Sequence, residues 1–343
     1  MKNLDQNFTK SLTRWYAENH RDLPWRKDKD PYHVWVSEIM LQQTRVEAVR
    51  DYYHRFMQAL PTIEALAQAD EETLLKLWQG LGYYNRVRNM HKAAVTVTTE
   101  LDGQFPRDYE SIKTLSGIGE YTAGAIASIC FDQREPAVDG NVLRVMSRIQ
   151  EDYADIKEAA TKKRVRETLA ALYPDQNCGD FTQGLIELGA LICVPKGRPK
   201  CELCPVSGYC KAMTNGTQLA LPVISQKKPR KEVEKTVFVL RSGDKTAVVK
   251  RGNKGLLAGT YEFPNIDMPL STDEAIRTVE NWGCHPIDIK RQVEEKHIFT
   301  HIQWNMTAYY FTCKDQSSDF LWVTGEELER DIPMATAFGK FKE

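Results

Sequence analysis

The sequence lacks the features that mark secreted and membrane-spanning chains. It begins MKNLDQNFTKSLTRWY, which holds no apolar run of signal-peptide length, and no later segment approaches the length of a membrane span. The 8 cysteines therefore do not indicate the disulfide framework of a small secreted domain. We expect a reduced, cytoplasmic chain that makes no membrane contact.

Net charge is also almost absent, since 46 Lys and Arg stand against 47 Asp and Glu and leave −1 over 343 residues. Overall charge gives no support for a nucleic-acid partner, so such a partner has to be argued from local clusters. Basic residues do gather at 162–166, at 196–200 and in KKPRK at 227–231. Such clusters are more often solvated surface than binding sites, so charge alone decides nothing.

The hydrophobic pattern changes once along the chain. Up to about residue 215 apolar residues recur at helical spacing, and DEETLLKLWQGLG begins with Asp70 as a helix cap. Beyond a polar, proline-broken tract the sequence turns to β-branched and aromatic runs such as KTVFVLRSG and KHIFTHIQWNMTAYYFTC, with one helix, TDEAIRTVENWG, between them. This pattern predicts a helical domain at 1–220, a linker at 221–235 and an α+β domain at 236–343.

Two short motifs in the helical part favour a DNA-binding function. YESIKTLSGIGEYTAGAIASI has a tight turn whose Gly117 and Gly119 allow positive φ, and the N–H groups that open the next helix suit a phosphate. It resembles a helix–hairpin–helix, although an ordinary helical turn is the alternative. In AVDGNVLRVMSR, Asp139 is a helix cap or a carboxylate beside the hairpin, and the helix dipole keeps it ionised in either role.

A third motif, CVPKGRPKCELCPVSGYC, places four cysteines close together in a loop-rich segment: Cys193, Cys201, Cys204 and Cys210. In a reduced chain such a group usually binds metal. Four thiolates suit tetrahedral zinc or an iron–sulfur cluster, and their spacing does not separate the two.

LSGIGEYTAGAI, AVDGNVLRV and the cysteine segment follow one another in the order found in the endonuclease III superfamily of DNA base-excision glycosylases. LPWR at 23–26 and VWVSEIMLQQTRV at 34–46 resemble the adenine-specific, MutY-type branch, and the C-terminal part resembles its MutT-like domain. The resemblance spans nearly the whole chain. It implies an all-α helix–hairpin–helix glycosylase domain, built from a six-helix barrel module and an iron–sulfur module, plus a C-terminal α+β domain of Nudix fold.

The resemblance also implies a 4Fe–4S cluster on the four cysteines, which would order the loop that presents Lys196, Arg198 and Lys200 to DNA phosphates. One departure is visible, because seven residues separate Cys193 from Cys201 where the family usually has six. A loop beside Gly197 absorbs one residue easily, and zinc remains the alternative metal.

Breaking an N-glycosidic bond requires an acid for the leaving base and a negative charge for the sugar cation. By resemblance, Glu38 is that acid, and its apolar helix should raise its pKa. Asp139 stabilises the sugar cation or bonds to it transiently, and Asn141 orients Asp139. Tyr121 packs the pocket where strand-cutting relatives carry a lysine, so no Schiff base forms and the strand is left uncut.

Further residues match positions that contact DNA in this family. Trp25, Arg26 and Gln183 match contacts to the extruded adenine, and Gln43, Thr44 and Tyr83 match contacts beside the partner base, although packing explains several of them equally well. Phe299, Thr300 and His301 match the loop that inspects 8-oxoguanine. TDEAIRTVENWG lacks the paired glutamates that bind magnesium, so we do not expect a Nudix hydrolase.

The function implied is a monofunctional glycosylase that removes adenine opposite 8-oxoguanine, and also opposite guanine, from duplex DNA during base excision repair. We expect a monomer that works at the nucleoid. Two alternatives stay open. One is a glycosylase of the same superfamily with another target, such as mispaired thymine, and the other is a catalytically idle protein, zinc-binding or not, that recognises DNA damage.

Overall fold

The computed structural model describes residues 3–226, 229–252 and 254–342. By the proximity of Cα atoms the chain divides into two compact units, Met1–Ala69 with Asn89–Gln226 and Asp70–Arg88 with Lys227–Glu343. None of the helices in the described ranges is both long and apolar enough to cross a membrane.

Helices dominate the chain up to residue 226, joined by short 3-10 turns at Pro24–Arg26, Cys201–Leu203 and Ser207–Tyr209. In chain order the helices are α1 (Gln6–Asn19), α2 (Pro31–Leu41), α3 (Val46–Ala59), α4 (Ile63–Gln68), α5 (Glu71–Leu77), α6 (Asn85–Glu100), α7 (Tyr109–Thr114), α8 (Glu120–Phe131), α9 (Gly140–Gln150), α10 (Ala159–Ala170), α11 (Cys178–Leu191) and α12 (Lys211–Asn215).

Helix α8 lies deep in the first unit because its residues are small. Thr122 to Ile129 are all buried, so the helix is covered on every side. A Cβ on Gly124 would stand 2.4 Å from the carbonyl oxygen of Pro136, which shows how closely a neighbouring chain segment approaches. Helices α9 and α11 pack on α1 around Phe8, Met146 and Phe181. This packing holds the helix ends that carry the site.

The second unit contains a mixed sheet and two further helices. The strands are β1 (Lys231–Ser242), β2 (Lys245–Lys250), β3 (Tyr261–Glu262), β4 (Asn265–Ile266), β5 (Pro286–Ile298), β6 (Ile302–Cys313) and β7 (Leu321–Thr324), and the helices are α13 (Thr272–Asn281) and α14 (Gly325–Arg330). Among the described residues the sheet runs β3-β2-β1-β6-β5, with β4 on β1 and β7 on β2. Strands β1 and β6 are parallel, and the neighbouring pairs are antiparallel.

The central strands β1 and β6 are largely buried on both faces, which explains their continuous apolar runs. Val237 and Val239 of β1 face one core with Trp304 and the C-terminal turn at Thr336–Phe341. Phe238 faces the opposite core, which α13 covers. Side chains of a strand alternate between faces, so each strand contributes to both cores.

The structure differs from the sequence-based expectations in several boundaries. The aromatic run at 296–313 breaks into β5 and β6. In the first unit, α2 and α3 are likewise separated by residues 42–45. Strand β1 begins at Lys231, inside the predicted linker 221–235, while Lys227 and Lys228 lie outside the described residues. Periodicity changes little across such a short turn, so it does not reveal these breaks.

The segment Asp70–Arg88 groups with the second unit, whereas the hydrophobic pattern placed it in the helical domain. Asp70 does cap α5, as predicted, by accepting from Thr73 N at 2.8 Å. Ion pairs between residues distant in sequence also link this segment to the sheet, including Lys250 Nζ to Glu72 Oε1 at 2.7 Å. Such contacts leave no trace in local periodicity.

Candidate active site

Glu38 is a buried carboxyl group on α2. Its helix starts at the cap Asp30 with Pro31 in the first turn, and Val36, Ile39 and Glu38 are all buried. Burial raises the pKa of Glu38 to about 7. The hydroxyl of Tyr121 donates to Glu38 Oε2 at 2.6 Å, which lowers that pKa, and the nearby charge of Asp139 raises it. Glu38 can therefore hold or release a proton near neutral pH.

Asp139 caps α9, as one of the two sequence-based interpretations predicted. Its Oδ1 accepts from Val142 N at 2.7 Å, and its Oδ2 accepts from Asn141 Nδ2 at 2.6 Å. Burial raises the pKa of Asp139, and these hydrogen bonds offset part of that rise. Both oxygens are fixed in direction, and the carboxyl group is also close enough to Glu38 to influence its pKa.

Arg144 connects this carboxylate to the cysteine segment. It donates to Asn141 Oδ1 at 2.9 Å, to the carbonyl oxygen of Gly189 at 2.8 Å and to that of Cys193 at 2.8 Å. A Cβ on Gly189 would lie 2.6 Å from the Cβ of Asn141, so α11 approaches α9 closely only because residue 189 is glycine. Asn141 is thereby held from two sides.

Arg144 was missed by the sequence-based prediction, as was Arg148, whose Nη1 donates to Cys193 Sγ at 3.2 Å. Both arginines are buried, at 6% and 4% exposure. The sequence did contain a signal for these two residues. Two arginines four residues apart on an otherwise apolar helix are expected to be buried, and a buried charge needs hydrogen-bond partners inside the protein. Only the fold identifies those partners.

The four cysteines Cys193, Cys201, Cys204 and Cys210 line one cavity together with apolar side chains such as Leu188 and Val206. No group of three or more His, Cys, Asp or Glu side chains within the described ranges converges closely enough to hold a single metal ion. The extra residue lies in an exposed loop in which Gly197 takes φ +75°, and Lys200 N closes that loop on the Ile192 carbonyl at 3.0 Å. The loop that holds the extra residue is therefore closed by a backbone hydrogen bond at its base.

Trp25, Arg26 and Gln183 line a second cavity of about 270 Å³, with Tyr16 and Asp180 also in its wall. The volume is near the lower end for small-molecule pockets. Trp25 is 6% exposed and packs edge-on against Tyr53 at 5.3 Å. The structure therefore brings together the three residues that the family resemblance assigned to the base.

Glu187 was also missed. Its side chain is fully buried, and it accepts from Arg21 at 2.8 Å and from Arg26 at 3.0 Å. Burial alone would raise the pKa of Glu187, but the hydrogen bonds from both arginines lower it to about 2. The sequence could have revealed this residue, because Glu187 is the one charged residue in the apolar run GLIELGALI and a buried charge needs a partner. Glu187 fixes the guanidinium of Arg26 at the cavity wall.

The hairpin joins α7 to α8. Gly117 takes φ +77°, and a Cβ there would stand 2.6 Å from the Cβ of Asn89. Gly119, by contrast, has φ −96°, so of the two glycines Gly117 alone uses the positive φ that both allow. Both glycines are exposed, and a Cβ added to Gly119, which precedes α8, would meet nothing within 4 Å.

Gln43 and Thr44 lie in the break between α2 and α3. Gln43 is exposed and has φ +61°. A positive φ is uncommon for a residue other than glycine and costs about 1 kcal/mol or more. This left-handed conformation lies at the break between α2 and α3.

The remaining predicted residues belong to the second unit. Tyr83 is 48% exposed with φ +50°, and its hydroxyl lies 2.5 Å from Thr300 Oγ1. Thr300 and His301 are exposed in the turn between β5 and β6, whereas Phe299 is partly buried against the core. The first-unit residues Glu38, Tyr121, Asp139 and Asn141 form a separate cluster.

Comparison with known proteins identifies the family of each part of the chain. The HhH-GPD superfamily of base excision DNA repair proteins matches residues 36–174, and the NUDIX domain family matches residues 236–343. An adenine DNA glycosylase of Rattus norvegicus is 35% identical over 97% of this chain and 77% of its own length.

Two solved structures are also similar. A thermostable thymine-DNA glycosylase has 28% identity and a TM-score of 0.55, covering 61% of this chain and 96% of that protein. Endonuclease III in a trapped covalent complex with DNA has 21% identity and a TM-score of 0.52, covering 62% and 96%, and shows the shared fold.

Proposed function

The chain belongs to the adenine DNA glycosylase family, and we propose that it removes adenine paired with 8-oxoguanine from duplex DNA, leaving the strand uncut. The observation that carries this proposal is the neighbouring pair of carboxyl groups, buried Glu38 and partly buried Asp139, in which one has a pKa of about 7 and the other is fixed at a helix end. One acid and one anion are what the chemistry requires.

The reaction begins when adenine leaves the base stack, which costs a few kcal/mol and less at a mismatch. Trp25, Arg26 and Gln183 receive the base in the cavity they line. Protonated Glu38 then gives its proton to the adenine ring, which makes the base a better leaving group. General acid catalysis of this kind typically contributes about 10²–10⁴ in rate.

Asp139 stabilises the positive charge that develops on the sugar as the N-glycosidic bond breaks, or bonds transiently to C1′. Its two hydrogen bonds, from Val142 N and Asn141, fix the carboxylate before the charge appears. The bond electrons leave with protonated adenine, and a water molecule supplies hydroxide to C1′ and gives up a proton. The product is an abasic site in an intact strand.

Tyr121 supports the assignment as a monofunctional enzyme. Its hydroxyl is bonded to Glu38, and burial raises its pKa far above the ordinary value, so the phenol stays protonated. A phenol forms no Schiff base with an aldehyde, whereas a lysine amine does. Among the residues at this cluster, Asn141 and Arg144 serve to orient Asp139.

Recognition of the opposite base is assigned to the second unit. Thr300 exposes a hydroxyl beside that of Tyr83, and a hydroxyl both donates and accepts. 8-Oxoguanine carries an N7–H that guanine lacks, so a hydroxyl that accepts from N7 distinguishes the two. The hairpin at Gly117 and Gly119 holds the duplex by its phosphates, independently of sequence. We also propose that the enzyme acts as a monomer at the nucleoid.

The four cysteines fit a 4Fe–4S cluster. They line one cavity together, and four cysteine thiolates are the ligand set that such a cluster takes. When bound, the cluster supplies structural cross-linking of residues 193–210. That loop exposes Lys196, Arg198 and Lys200, which offer positive charge to DNA.

A single-turnover assay tests the proposal. Duplexes that differ only in the base opposite adenine (8-oxoguanine, guanine or thymine) are incubated with excess enzyme, and strand breaks are counted with and without alkali. A duplex with thymine opposite guanine is added because of the similarity to a thymine-DNA glycosylase. Asp139→Asn is the matched variant, since asparagine also caps helices.

We expect alkali-dependent breaks, fastest opposite 8-oxoguanine, and a loss of about 10³-fold or more in Asp139→Asn. Breaks without alkali would contradict the assignment of Tyr121. Release of thymine in place of adenine would favour the mismatch enzyme, and no release from any duplex by the folded protein would favour a protein that only binds damage.

A further inference from the structure

Phe299 differs from its two neighbours in the turn between β5 and β6. Its side chain packs on the core of the second unit, while Thr300 and His301 face solvent. The Phe299 ring stands edge-on to Trp304 at 4.8 Å and lies 4.5 Å from the ring of His297. Phe299 is thus oriented as an anchor of the turn.

Trp304 is the surface on which this anchor rests. It is 4% exposed, and its ring contacts Phe338 at 5.8 Å on the core side. Lys235 Nζ lies 4.5 Å from the ring centroid and also donates to Asn265 Oδ1 at 2.8 Å. A desolvated cation over an indole is a favourable contact, so Trp304 has one well-defined position.

Hydrogen bonds to the backbone fix the turn at both of its ends. Phe299 N donates to the Ile302 carbonyl at 2.8 Å, and Lys231 N donates to the His301 carbonyl at 3.0 Å. Arg230 Nε donates to the Phe299 carbonyl at 3.1 Å. With both ends of the turn held, the hydroxyl of Thr300 reaches that of Tyr83.

We propose that Trp304 is a positioning residue for discrimination of the base opposite adenine. It touches no base. It fixes Phe299, and through Phe299 it fixes the direction of the Thr300 hydroxyl. The inference rests on the proposed function, because it requires that Thr300 distinguishes 8-oxoguanine from guanine.

The measurement is the ratio of single-turnover rates for adenine opposite 8-oxoguanine and opposite guanine. Trp304→Met fills the space without an aromatic ring, and Trp304→Phe restores a ring. Trp282→Met is the matched control, since Trp282 packs on Phe238 at 4.7 Å in the core on the opposite face of the sheet. Thermal denaturation of each full-length protein reports folding.

We expect Trp304→Met to lower the ratio by about tenfold, the upper range of one aromatic contact, with the rate opposite guanine almost unchanged. Trp304→Phe should recover most of the ratio, and Trp282→Met should keep it even where it lowers thermal stability.

A folded Trp304→Met that keeps the ratio would overturn the inference. An equal loss in Trp282→Met would also overturn it, because general loosening of the unit would then be the cause. If the unsubstituted protein shows no preference for 8-oxoguanine, the proposed function fails instead, and the two failures are distinguishable.

Discussion

The hydroxyl of Tyr121 donates a 2.6 Å hydrogen bond to Glu38 Oε2, joining α8 to α2. Burial raises the pKa of Glu38 to about 7, and this hydrogen bond works against that rise. The same tyrosine therefore sets how much of Glu38 is protonated at neutral pH.

Replacing Tyr121 by phenylalanine should change the pH dependence of adenine release. The acid is active when protonated, so the rate falls as pH rises past the pKa of Glu38. Loss of the hydrogen bond removes an effect that lowers this pKa, and the fall should move to higher pH. Single-turnover rates between about pH 5 and pH 9 measure the midpoint. Tyr153→Phe, at an exposed position, is the control, and an unmoved or lower midpoint in Tyr121→Phe would contradict the argument.

Glu187→Gln should destabilise the first unit by about 3 kcal/mol, because Arg21 and Arg26 lose their shared anion. The pKa of Glu187 is lowered to about 2, so its contribution is present above the unfolded value and is lost as pH falls toward 2. The variant should therefore lose less stability than the parent between about pH 5 and pH 2.

Denaturant unfolding followed across that pH range tests both statements. Glu167→Gln is the control, since Glu167 is 63% exposed and 3.9 Å from Lys163, and it should change stability by less than about 1 kcal/mol. Equal changes in the free energy of unfolding for the two substitutions would show that the buried Glu187 cluster contributes no more stability than an exposed ion pair.

Gly189→Ala should slow base release without touching any base. Its Cβ would stand 2.6 Å from the Cβ of Asn141 and 3.2 Å from its Cα, so α9 must shift and Asp139 with it. A displacement near 1 Å at a catalytic group costs about 10²-fold. The single-turnover rate is compared with that of Gly208→Ala, where a Cβ meets nothing within 4 Å. A parental rate in Gly189→Ala would mean that the site tolerates the shift.

Cys204→Ser should remove the brown colour of an iron–sulfur cluster and lower the thermal midpoint of the protein. Cys204 lines the cavity with the other three thiols, and a metal cluster bound there would stabilise this loop-rich segment by linking its cysteines. Iron and sulfide analysis with thermal denaturation are the readouts. Cys130→Ser is the control and should keep both the colour and the thermal midpoint, since Cys130 lies outside that cavity. A colourless parent protein that contains zinc would favour the alternative metal.

Much of the site was accessible from the sequence because chemistry and local structure coincide there. Glu38 stands in the apolar run 34–40, which is buried throughout, and Asp139 directly precedes α9, where a carboxylate caps the helix. A carboxylate in the first turn and an apolar helical period are short-range signals.

Tertiary structure alone decided the partners. Arg144 reaches Gly189 and Cys193, which are 45 and 49 residues away, and Glu187 collects two arginines more than 160 residues earlier. The breaks at 42–45 and 299–301, and the association of Asp70–Arg88 with the sheet, also depend on such contacts. The hydrogen-bond partners of a buried charge depend on which segments the fold brings together, and local periodicity carries no information about that. The sequence by itself was enough to predict which residues carry the chemistry, and the fold determined what holds each of them in place.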